Sequence, residues 1–136
     1  MVLYHWLIVT MSCKVSKGQF SDIIVSALAE LPPDFAEATQ TLRIEVRYRP
    51  TPEMLDDAGV TEGHTLLGLY CGRPATRRSV EDSAVLPDVI YLFQRELENI
   101  CDTEEQLRDE IRRTLLHEIG HHFGLDENDL ERLGYS

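Results

Sequence analysis

The chain has 136 residues, 43% of them apolar, and a formal net charge of −11, enough apolar content for a single domain with its own core. That excess of acid excludes nucleic acid and anionic membrane as default partners, because no basic stripe exists to release counterions from phosphates; the clusters Arg73/Arg77/Arg78 and Arg108/Arg112/Arg113 are small. Cys13, Cys71 and Cys101 form no C-x-x-C pair and leave one cysteine over, which fits free thiols and a cytoplasmic location.

The apolar opening Met1–Thr10 lacks a basic start and a small-residue cleavage site, and it is about half the length of a membrane span. Residues 1–17 read as an appended segment, either a strand, a tail or a mis-assigned start, and residues 18–136 as one domain. Ser16 with Gln19 can box the start of a helix at 17–31, whose Phe20, Ile23, Ile24, Ala27, Leu28 and Leu31 form an apolar face before Pro32-Pro33 ends it. A helical turn is expected at 34–39. Leu42, Ile44, Val46 and Tyr48 then alternate with Arg43, Glu45 and Arg47, the period-two pattern of a strand with one wet face. Residues 51–59 read as a loop with a helical turn near Glu53–Ala58. Thr65–Tyr70 and Val89–Phe93 read as two further strands, less alternating and so more buried, with a long loop over 71–87 between them.

The last long element carries the chemistry. Asp102 followed by Glu105 is an N-capping signal, Leu107, Ile111, Leu115 and Ile119 recur at helical spacing, and Gly124 stops the run, which predicts a helix over 103–123. Within it stands His117-Glu118-Ile119-Gly120-His121-His122-Phe123-Gly124-Leu125-Asp126-Glu127. Residues four apart stack on one helix face, so His117 and His121 can aim at one metal ion while Glu118 reaches a water on it. A shuffled chain of this composition would carry H-E-x-x-H roughly twice in a hundred, and the added glycine makes the extended pattern rarer still.

Gly124 can take the left-handed conformation and fold the chain back under the helix end, which would make Glu127 the third ligand. Two imidazoles and one carboxylate suit a single zinc ion with a fourth position open to water. The competing reading is that Asp126 caps a terminal helix over 127–133 and Glu127 only favours its N-terminal dipole. The spacing also matches H-E-x-x-H-x-x-G-x-x-H, but the last position is Glu127, and no methionine follows the motif to form a methionine turn. His122 falls nearer the core-facing row and is expected to be buried and hydrogen-bonded. His64 reads as a turn residue, His5 as an interfacial side chain, and Tyr135 as structural in preference to an oxyanion donor.

The sum is an α+β domain, with an N-terminal helix, a small sheet of about three strands and the C-terminal H-E-x-x-H helix. From about Phe20 to Tyr135 the chain resembles the minimal zincin-like metallopeptidase family of small bacterial proteins. The resemblance is carried by Phe20-Ser21-Asp22-Ile23-Ile24 through Leu31-Pro32, Gly68-Leu69-Tyr70, Gly72-Arg73-Pro74, Leu86-Pro87-Asp88-Val89-Ile90-Tyr91-Leu92-Phe93, and Thr114 through Leu125 with its acidic tail. It implies a minimal zincin-like fold, zinc on His117 and His121, a general-base role for Glu118, an acid at position 127, and a peptide or protein substrate whose identity the family does not establish. Two rivals stay open. One is a non-enzymatic binding or regulatory protein on the same fold. The other is a metal-dependent endoribonuclease with the same histidine spacing, against which Glu118, Glu127 and the negative charge all weigh.

Overall fold

The computed structural model describes residues 13–72 and 88–135. Its elements run α1 (Lys17–Ala29), α2 (Pro33–Ala38), β1 (Arg43–Arg47), α3 (Pro52–Asp57), β2 (Gly68–Cys71), β3 (Val89–Phe93), α4 (Gln94–Asn99), α5 (Glu104–His122) and α6 (Glu127–Leu133). The architecture is α+β, as the alternation of patterns along the sequence predicts. Met1–Thr10 and most of the loop expected at 71–87 lie outside the described residues.

The capping chemistry acts as read for α1, where the Ser16 hydroxyl accepts from the Gln19 amide and the Gln19 side chain accepts from the Ser16 amide. Pro33 stands at the first position of α2, where its missing N–H costs nothing. For α5 the cap is Thr103 and not Asp102: the Thr103 hydroxyl accepts from the Gln106 amide at 3.1 Å. The Gln106 side chain reaches one residue further back and accepts from the Asp102 amide, so Asp102 lies outside the helix and the hydroxyl of Thr103 caps it.

The sheet order is β1-β3-β2, with β1 parallel and β2 antiparallel to the central β3. The register Ile44↔Ile90↔Tyr70 and Val46↔Leu92↔Gly68 puts these residues on one face, and that face joins Phe20, Ile24 and Ala27 of α1 and Leu107, Ile111, Leu115 and Ile119 of α5 in one core. Arg43, Glu45 and Arg47 project from the opposite face of edge strand β1, where Glu45 pairs with both arginines and Arg47 lies over the Tyr91 ring. β3 is buried on both faces, as its unbroken apolar run implies. β2 differs from expectation, being an edge strand that starts at Gly68.

Gly68 explains how β2 reaches α5. A Cβ on this residue would lie 2.5 Å from Thr114 Cγ2 and 3.1 Å from the Tyr91 carbonyl oxygen, so a side chain would push the strand off the helix. The other departure is α4, for which the sequence carries no signal: its N-cap is Phe93 with no side-chain cap, and it buries Gln94, Glu96 and Glu98 besides Leu97. Glu96 pairs with Arg95, and the other two hold the N-terminal segment. Glu98 Oε2 accepts from the Val15 amide at 2.9 Å, Gln94 Nε2 donates to the Val15 carbonyl, and the Cys13 amide donates to the Cys101 carbonyl. Residues 13–15 are therefore tied into the domain. No helix among the described residues is long and apolar enough to cross a membrane.

Two outcomes test this packing. Gly68→Ala should lower stability by about 1–3 kcal/mol through overpacking, and adding Thr114→Ser, which deletes the clashing methyl, should restore part of the loss in urea unfolding; strictly additive effects would mean the two residues do not touch. Burial pushes the Cys101 thiol up to about 12, with Glu110 adding to the effect, and leaves it 1% exposed. At pH 9 this thiol should therefore resist alkylation in the folded chain and react once the chain is unfolded, as mass spectrometry of the labelled peptides would read.

Candidate metal centre

The site forms where α5 ends. His117 and His121, one turn apart, bring their ring centroids to 4.8 Å. Both rings are partly exposed, so they stand at a cleft and not in the core. After Phe123 the chain reverses. Gly124 takes φ 81°, its amide donates to the His121 carbonyl, and the Leu125 amide donates to the Gly120 carbonyl. These bonds are the two of a Schellman motif, which only a residue without a Cβ closes without strain.

Asp126 then caps α6 in a reciprocal box with Asp129, which makes Glu127 its first residue. α6 is capped by Asp126, as the competing reading of this stretch has it, and the Glu127 carboxylate also turns back towards the histidines. Glu127 Oε1 lies 3.0 Å from His117 Nε2 and 3.2 Å from His121 Nε2. Gly120 sets the approach of the two helices, because a side chain there would run into the buried Leu130 of α6.

The residues suit a zinc ion in both number and spacing. In a tetrahedral site with bonds near 2.0–2.1 Å the donors stand about 3.3 Å apart, close to the two separations above. The ring orientation fits as well. His121 Nδ1 lies 3.0 Å from the Leu125 carbonyl, which can only accept, so Nδ1 is the donor of this bond and Nε2 is the nitrogen that faces the site. The turn that delivers Glu127 thus also orients one of the imidazoles.

Glu118 belongs to the same cluster, with a carboxylate oxygen within 4.8 Å of the histidine nitrogens, but it is held from another direction. The Tyr70 amide of β2 donates to Glu118 Oε2 at 2.9 Å. Burial raises the Glu118 pKa above the usual carboxylate range; His121, His117 and the Tyr70 amide pull it down, Glu127 pushes it up, and the net direction is upward. A carboxylate so placed holds a proton more readily than a free glutamate does. A cavity of about 360 Å³ opens beside the cluster, with Tyr70 and Gly72 on one side and His121, Leu125 and Glu127 on the other.

His122 behaves as its position on the helix predicts. It is buried, and its Nδ1 donates to Asp88 Oδ2 at 2.9 Å. The Tyr70 hydroxyl donates to the same Asp88 oxygen at 2.9 Å. Reading the residues singled out neither Tyr70 nor Asp88 for a role, because their partners lie in other elements; the one local signal is an acid placed directly before a fully apolar strand. Tyr135 meets the Phe35 ring edge-on at 5.1 Å, which is a packing role. His64 Nδ1 bonds the Thr61 hydroxyl within a turn, and His5 lies outside the described residues.

Comparison with known proteins agrees with this geometry. The chain matches the family model described as zincin-like metallopeptidase over residues 39–135, a span that begins after α1 and α2 have started the core and holds every donor named above. Among solved structures, a conserved hypothetical protein from Thermo thermophilus is 25% identical and superposes with a TM-score of 0.52, covering 88% of this chain and 97% of that one. No curated protein matches the chain. With the H-E-x-x-H helix, the edge strand against it and a family match over most of the sequence, the chain belongs to the zincin-like metallopeptidases.

Proposed function

We propose that this protein is a zinc-dependent peptidase that hydrolyses peptide bonds, with His117, His121 and Glu127 as the metal ligands and Glu118 as the general base. The observation that carries the reading is the division of labour between two carboxylates. Glu127 converges on both imidazole Nε2 atoms, whereas Glu118 is drawn aside by the Tyr70 amide and keeps a raised pKa. One acid is set to bind a cation and the other to handle a proton.

Zinc held by His117, His121 and Glu127 would supply Lewis acidity, making a nearby water a better nucleophile and polarising the scissile carbonyl. Glu118 takes a proton from the water that attacks the scissile carbonyl, and the same carboxyl returns it to the departing amine. The upward shift of its pKa favours the second transfer, which needs a protonated acid. β2 is the sheet edge beside Glu118, and an extended peptide runs along it with its carbonyl at the cluster, pairing with outward backbone groups of β2 other than the Tyr70 amide, which Glu118 holds. The net charge of −11 opposes the nuclease alternative, since a polyanion would have to approach an acidic surface.

Glu118→Gln should abolish cleavage of casein and of a broad peptide library, a loss of at least about 100-fold, while mass spectrometry still finds one zinc per chain; turnover that survives this change refutes the base assignment. His121→Ala should release the metal, and Glu127→Gln should weaken its retention against a chelator by about 10- to 100-fold. Zinc held as tightly as in the parent chain would remove the altered residue from the ligand set. Cleavage of single-stranded RNA in place of peptides would favour the nuclease, and a zinc-loaded protein that cleaves neither would favour a binding role.

A further inference from the structure

The peptidase reading leaves one polar assembly without a task. Asp88, at the entry to β3, is 5% exposed and His122, at the end of α5, is 8% exposed. Their contact, His122 Nδ1 to Asp88 Oδ2 at 2.9 Å, is joined by the Tyr70 hydroxyl, which donates to the same oxygen at 2.9 Å and lies 3.4 Å from His122 Nδ1. The Tyr70 ring meets the His122 ring edge-on with centroids 5.7 Å apart. Burying an acid and an imidazole beside a half-buried phenol is costly unless their polar atoms are engaged, so the fold gives up stability that an apolar trio would supply. Such a cluster is expected where position matters more than stability.

Tyr70 connects this cluster to Glu118. Its hydroxyl is in the Asp88–His122 pair and its amide is on the Glu118 carboxylate. The alternation of an antiparallel ladder explains the arrangement. The Leu67 carbonyl accepts from the Phe93 amide, so Leu67, Leu69 and Cys71 direct their backbone groups to β3 while Gly68 and Tyr70 direct theirs outward. The Tyr70 amide therefore depends on Glu118 and not on the sheet for its acceptor. β2 has only four residues and Tyr70 is one from its end, where a short edge strand frays first.

We infer that the Asp88–His122 pair is a positioning device for Glu118, acting through Tyr70: by clasping the phenol to both β3 and α5 it holds the end of β2 so that the Tyr70 amide stays on the carboxylate. Gly72 has a part in this clasp, because a Cβ there would run into the Asp88 carboxylate. The Tyr70 hydroxyl donates to Asp88, so Tyr70 is a positioning residue and not the donor to a developing oxyanion. The inference rests on the peptidase reading for its consequence in catalysis, but its structural half is measurable without it.

The test compares the full-length parent chain with Tyr70→Phe and Asp88→Asn. Tyr70→Phe keeps the ring and the amide and removes only the hydroxyl; Asp88→Asn keeps the shape and removes the charge. Glu118→Ala, which strips the acceptor, gives the reference for an unprotected amide. Amide hydrogen exchange at position 70, followed by NMR, should be slow in the parent and at least about tenfold faster in both clasp variants, approaching the Glu118→Ala rate. With zinc content unchanged, kcat on a library peptide cut by the parent should fall about 10- to 100-fold in both, with KM within about twofold. Exchange at position 70 as slow as in the parent, in variants that have lost the clasp, overturns the inference, as does a fall in melting temperature with neither exchange nor kcat altered. If the zinc-loaded parent cuts no peptide, the peptidase reading falls while the exchange rates still decide whether the clasp holds the amide on Glu118.

Discussion

The reversal at Gly124 governs what the rest of the site can be. Two histidines on one helix face offer only half of a stable coordination sphere, and an α-helix cannot place a third residue opposite them without leaving its own axis. A left-handed residue directly after the last turn lets the chain double back, and the capped α6 then presents its first side chain to both imidazoles. The same turn leaves the Leu125 carbonyl under His121, which turns the ε nitrogen of the ring to the site. Gly120 and Leu130 hold the two helices close enough for this to persist. One backbone conformation thus sets the place of Glu127 and the orientation of the His121 ring.

The sheet contributes from the other side. β2 is pressed against α5 at Gly68 and meets Glu118 at Tyr70, so the acid that follows the first histidine is fixed by an element remote in sequence. Burial and this contact act on Glu118 in opposite senses, and burial prevails. The molecule in effect assigns its two nearby acids to different environments, one enclosed between helix and strand and the other on an open helix terminus.

What the sequence discloses follows from how local each determinant is. The α1 box, the alternation of β1, the stripe of α5 and the glycine that ends it are all written within a few neighbouring residues, and each reappears in the structure. His117, His121 and Glu127 belong to one motif, and the motif's spacing is enough to bring them together. What escapes is long-range. Gln94 and Glu98 turn inward because the N-terminal segment needs partners for its backbone, and no helical period records that. The edge position of β2 depends on the topology of three strands, and Asp88 and Tyr70 acquire their roles only when β2, β3 and α5 meet. The α5 cap moved by one residue because Asp102 and Thr103 are both capping residue types side by side, and it is the Thr103 hydroxyl that meets the Gln106 amide.

The two margins of the sheet are dressed differently. Along β1 the sequence Arg-Ile-Glu-Val-Arg sets a bridged row of alternating charge on the face away from the helices, and a second molecule laid alongside would have to strip water from that row. The opposite margin, β2, runs beside the helix that bears the histidines and meets it at the Glu118 carboxylate. Lateral growth of the sheet into a fibre needs both borders to be receptive, and here one is fenced. A sheet with one border charged in this way offers copies of the chain no continuous template for stacking, whatever its other border accepts.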